Sequence, residues 1–177
     1  MSSQIPSGDP VFPGRPVGQL STLAYPPAEW DLLTRLPSRI VVAATSAEPD
    51  DPRHRVREGL AGLEGIAAGR AFDSELVRVV ATTIYAEHEQ DRPAGGRASD
   101  RGAGLADVLG SCREAVRVLA ARADPADSAA YRQWVQSIAA RVCRAGRAGG
   151  VAGAADEPGS AAERRFLDEL GAALGLC

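Results

Sequence analysis

The chain has 177 residues, enough for one domain that buries a core without disulfides or metal. Hydrophobic residues make up 45% but aromatics only 5%, so the core has to be built from Ala, Val, Leu and Ile, which suits closely packed helices. The net charge of −3 argues against a dedicated nucleic-acid binder, and all 20 basic residues are arginine, which excludes Walker-type, Schiff-base and pyridoxal-phosphate chemistry that needs a lysine.

The three cysteines, Cys112, Cys143 and Cys177, form no CxxC pair, which points to a reducing compartment and away from a zinc ribbon. Cys112 and Cys143 fall within helical patterns and are expected to be small core residues. Met1–Gly18 lacks the basic start and apolar core of a leader. No run approaches the roughly 18 apolar residues of a membrane span. A cytoplasmic location is therefore expected.

In chain order, residues 1–26 are rich in Pro, Gly and Ser and are expected to form an irregular arm. Residues 27–177 are expected to form a single all-α domain, a compact bundle of about seven helices. Pro27 suits the first turn of a helix. Trp30, Leu33, Ile40, Val41 and Ala44 keep a helical period, but Pro37 is expected to split this run into two helices. After the acidic turn Glu48–Asp51, Pro52 opens a helix with Val56, Leu60, Leu63 and Ala67 on one apolar face. Asp73 or Ser74 caps the next, whose apolar face is Leu76, Val77, Val80, Thr83 and Ile84. Arg92–Gly102 reads as a polar loop. Leu105, Val108, Leu109, Cys112, Val116 and Leu119 mark another helix, and Asp124–Pro125 starts one more. That helix carries Tyr131, Trp134, Val135, Ile138 and Val142 on one stripe. A Gly/Ala loop follows over Ala145–Gly159. Ser160 then caps the closing helix, with Glu163 as its capping-box partner and Phe166, Leu167, Leu170 and Leu174 as its apolar face.

Two helix–acidic turn–helix segments echo one another. The first holds Glu48, Asp50 and Asp51 with Glu58 in the following helix; the second holds Asp156 and Glu157 with Glu163. Clustered carboxylates at a turn suit a hard divalent cation such as Ca²⁺ or Mg²⁺. Helix capping and the helix dipole account for the same residues without a metal, and neither loop has EF-hand spacing. The segment Tyr85–Asp91 holds Glu87 and His88 but fits neither the di-iron nor the zincin pattern. Arg53-His54-Arg55-Val56-Arg57 places positive charge in the first turns of a helix, against the dipole, and would suit an acidic partner. The glycine loop follows a helix, lacks GxGxxG and has no lysine, so it reads as a linker.

The order of elements, the Trp30-to-Pro37 entry and the ending Ser160–Leu176 resemble the TerB-like helical domains, named for a tellurite-resistance protein. Glu163, Leu167, Leu170, Leu174 and Gly175 fit that family's closing Glu-x-x-x-Leu-x-x-Leu-x-x-x-Leu-Gly helix. The first acidic segment departs from it, with Ala47-Glu48-Pro49-Asp50 in place of Ala-Asp-x-x-Gly. The resemblance implies a non-enzymatic, cytoplasmic module in a tellurite-type stress response, binding a divalent metal ion or a protein partner. It carries a metal-site expectation to Glu48, Asp50, Asp51, Glu58, Asp156, Glu157 and Glu163. The alternative is a ligand-binding protein or carboxylate-dependent enzyme with a helix-bundle pocket, using Glu87 or Glu163.

Overall fold

The computed structural model describes residues 24–46, 52–90, 104–147 and 160–176, with the side chains of residues 52–53, 88–90 and 147 excepted. Among the described residues there are six α-helices and no strand: α1 (Pro27–Thr45), α2 (Pro52–Ala68), α3 (Glu75–Gln90), α4 (Leu105–Arg122), α5 (Pro125–Arg147) and α6 (Ala161–Ala173). A single 3-10 turn, Gly69–Ala71, joins α2 to α3.

Helix α5 is the axis of the bundle and packs on each of the other five helices. Its expected stripe of Tyr131, Trp134, Val135, Ile138 and Val142 is fully buried, joined by Ala139 and Cys143. Around it lie Leu33, Leu36 and Ile40 of α1, Val77 and Val80 of α3, Cys112 and Leu119 of α4, and Phe166 and Leu170 of α6. Just ahead of α1, Tyr25 is buried in this core with its ring 5.9 Å from that of Trp30.

Pro37 does not divide the first helical run, which accounts for six helices where about seven were expected. A proline inside a helix removes the amide that would bond the carbonyl four residues earlier. That carbonyl belongs to Leu33, and the Tyr131 hydroxyl of α5 donates to it at 2.7 Å. A side chain from the central helix thus supplies the missing donor.

Helix α2 corrects the sequence reading more deeply. Val56, Leu60 and Leu63 point outward, 63%, 54% and 49% exposed, instead of into the core. The inward face is built of Gly62, Gly65 and Ile66, continued by Gly69 in the 3-10 turn, with Glu58 at its N-terminal end. Absent side chains let α2 lie close on α5. A Cβ at Gly69 would stand 2.7 Å from the Trp134 indole, and the Trp134 Nε1–H donates to the Gly65 carbonyl at 3.1 Å.

Helix α5 runs on to Arg147, past Ala145 and Gly146 that were expected to open the loop, while the starts of α3 and α5 fall where expected. The Val77 amide donates to Ser74 Oγ at 3.3 Å, and Ser74 donates to Asp127 of α5 at 2.5 Å. The Ala126 amide donates to the Asp124 carboxylate at 2.8 Å. Helix α6 ends in a Schellman turn: Leu176 N–H donates to Gly171 at 3.0 Å, and Gly175 takes φ 64°, which glycine adopts without strain.

Candidate functional site

Of the seven acidic residues expected to hold a metal, Glu48, Asp50, Asp51, Asp156 and Glu157 lie outside the described residues. Glu58 and Glu163 are described, and both are buried. Glu163 closes the capping box of α6: the Ser160 amide donates to its carboxylate at 3.0 Å, and its own amide donates to Ser160 Oγ at 3.1 Å. Those bonds satisfy two donors that a helix start leaves open. Glu58 lies against the C-terminal turn of α5, where a Cβ on Gly146 would come within 2.4 Å of its Oε1. Glycine at 146 is what allows that carboxylate to rest on the helix backbone. Among the described residues, no three His, Cys, Asp or Glu side chains gather in a way that could hold a metal ion.

The other expected candidates fall on surfaces. Glu87 is exposed on α3 near its C-terminal end, and the His88 side chain lies outside the described ones. The glycine loop beyond Arg147 also lies outside them. The arginine-rich run opens α2, with Arg55 and Arg57 exposed.

Two features were missed in the sequence. The first is a cleft of about 390 Å³ between the C-terminal end of α1, the start of α4 and one side of α6. Ala43, Leu105, Ala162 and Phe166 form its apolar lining, and Ser46, Arg165 and Glu169 supply polar groups. Arg165 and Glu169 are i, i+4 on α6, neighbours on one face of that helix.

The second is the outer face of α2. Val56, Leu60 and Leu63 make an aliphatic ridge one side chain wide and two turns long. Arg55 and Arg57 flank it, and Arg70 lies beyond its end, 5.2 Å over the Tyr85 ring of α3. The Tyr85 hydroxyl donates to the Leu63 carbonyl at 3.2 Å, bracing the ridge from α3. On the α5 side, Glu64 shares a shallow hollow with Ala61, Arg141 and Arg144. A signal for this orientation was present: Gly65 and Gly69 stand four apart, with Gly62 one turn earlier, so α2 has a small face suited to close helix approach.

Two buried groups, the Cys112 thiol and the Tyr131 phenol, are held protonated. Burial pushes the Cys112 thiol up to about 12 against the lowering influence of Arg39 and Arg113. Burial also raises the Tyr131 phenol well above its ordinary value, which keeps the proton it donates to Leu33. Among the described residues, no helix is long and apolar enough to cross a membrane. Compared with known proteins, the chain matches no family model, no curated protein and no solved structure.

Proposed function

We propose that this protein is a non-enzymatic, TerB-like helical module that works in the cytoplasm by binding another protein, in a stress response of the tellurite type. The stress assignment rests on the sequence resemblance alone. The binding assignment rests on one observation, the aliphatic ridge of α2 held outward by a glycine face that grips α5. Exposed aliphatic side chains in a contiguous row are what a protein-binding surface leaves visible when its partner is absent.

The test starts with the orientation of α2. Leu60→Gln/Leu63→Gln in the full chain should leave the thermal midpoint within about 2–4 °C of wild type, since solvent-facing substitutions change stability by only about ±0.5 kcal/mol each. The same pair buried in a core would cost several kcal/mol. A fall of the midpoint by tens of degrees would remove the surface and the function built on it.

A second reading has its own observation. The α1–α4–α6 cleft is apolar with a guanidinium and a carboxylate at hand, the composition of a small-ligand pocket. Substitution of Phe166 would disturb the core, whereas Glu169→Gln and Arg165→Gln alter only the polar groups of the cleft. Loss of binding of a small zwitterionic or carboxylate ligand in those variants would favour it. The divalent-cation reading is tested by calorimetric titration with Ca²⁺, Mg²⁺ and Zn²⁺. Asp156→Asn/Glu157→Gln should abolish any heat of binding, and silence of the wild type at millimolar metal would remove the reading.

A further inference from the structure

We infer that the outer face of α2 docks an amphipathic helical segment of another protein whose apolar stripe is bordered by carboxylates; this rests on the proposed protein-binding role of that face. The ridge residues Val56, Leu60 and Leu63 fall at i, i+4 and i+7, the seam spacing along which two helices pair. The ridge is also pre-organised. Trp134 fastens the inner side of α2 through the Gly65 carbonyl, and Tyr85 fastens its flank through the Leu63 carbonyl. A partner therefore meets a helix already formed and positioned, without the entropy of folding it.

Charge selects the occupant. Exposed Arg57 borders the ridge, Arg70 lies past its end, and Arg141 and Arg144 of α5 line its far side. Against these, Glu64 is the one exposed acid of α2, and α5 carries no acid beyond Asp127. Arg57 and Glu64 form no ion pair among the described residues. A second copy of this chain would bring the same arginines face to face, a like-charge arrangement that opposes pairing. An anionic bilayer would satisfy the arginines, but the ridge is only three aliphatic residues long and holds no Trp or Phe of the kind that anchors interfacial helices. A helix with leucines on its seam and glutamates beside them satisfies both the ridge and its border.

The experiment uses the full chain and two fluorescently labelled helical peptides with leucine at heptad positions a and d. One carries glutamate and the other lysine at the flanking e and g positions. The glutamate peptide should bind at least about tenfold more tightly than the lysine peptide. Its affinity should fall with added salt. Leu60→Gln/Leu63→Gln and Arg57→Glu/Arg144→Glu should each weaken it by about tenfold or more, with helical content unchanged by circular dichroism. Equal binding of the two peptides, both lost in Leu60→Gln/Leu63→Gln, would overturn the acidic partner and leave the α2 surface standing. Binding of neither peptide, or binding indifferent to Leu60→Gln/Leu63→Gln, would overturn both. Sedimentation of the chain alone as a dimer that Leu60→Gln/Leu63→Gln dissolves would identify a second copy as the occupant. Co-sedimentation with phosphatidylglycerol vesicles, lost in the same variant, would identify a membrane. Either result also overturns the inference.

Discussion

Tyr131 carries two duties through one ring: its body fills the core beside Trp134, and its hydroxyl completes α1 at the carbonyl that Pro37 leaves open. Tyr131→Phe keeps the body and deletes the donor. A buried carbonyl then loses its partner, which costs about 1–3 kcal/mol, read as a lower denaturant midpoint with an unchanged slope. Pro37→Ala restores an amide to the same carbonyl. In the Tyr131→Phe background it should recover much of the loss, whereas in the wild type the carbonyl already has a donor and the added amide gains less. A double-mutant cycle that shows additive effects would disprove this division of labour. Proline inside a helical pattern was legible in the sequence, and a break was the reasonable expectation from local rules. The hydroxyl that prevents it comes from 94 positions later in the chain, beyond the reach of any local pattern.

At the scale of the element, α2 shows where hydrophobic periodicity stops being informative. The stripe of Val56, Leu60 and Leu63 was correctly seen, yet periodicity locates a stripe without saying which neighbour it faces. Here the opposite face wins because glycine allows α2 to approach α5 closely enough for backbone–indole hydrogen bonding. Glycine substitutions separate the two faces. Gly59 has open space where a Cβ would stand, so Gly59→Ala should stabilise the protein by about 0.5–1 kcal/mol through helix propensity. Gly69→Ala pushes a methyl into the Trp134 ring and should destabilise by about 1–3 kcal/mol. Thermal midpoints that move in the same direction in both variants would contradict the packing of α2 on α5. Helix α6 is the opposite case, because its start signal is contained in four consecutive residues. Ser160 and Glu163 were legible as a capping box, and both bonds are formed. Ser160→Ala should cost about 1 kcal/mol, and Glu163→Gln less, since glutamine accepts the same amide bond.

For the molecule as a whole, the all-helical architecture was legible because each helix carries its own apolar stripe, and the long stripe of α5 is the surface on which the others converge. The candidate binding face was not, because it consists of residues that look like core. The absence of lysine, noted first as an exclusion, also shapes how the fold responds to alkali. Arginine stays charged throughout, so the response to alkali between pH 9 and 12 is left to thiols and phenols. In the folded protein Cys112 keeps its proton up to about pH 12, while the unfolded chain releases it near 9. Tyr131 and Tyr25 are likewise raised by burial. The folded state therefore binds more protons than the unfolded one across this window, and stability falls as pH rises. The contribution is whole below pH 9 and declines by about 1.4 kcal/mol per pH unit for each retained proton. Cys112→Ala removes one such proton. Its urea-unfolding free energy should fall less steeply than that of the wild type between pH 9 and 10, and both should steepen above pH 10 as the tyrosines join. Parallel curves from pH 8 to 10 would place the Cys112 thiol in water and contradict its position in the core between α1 and α5.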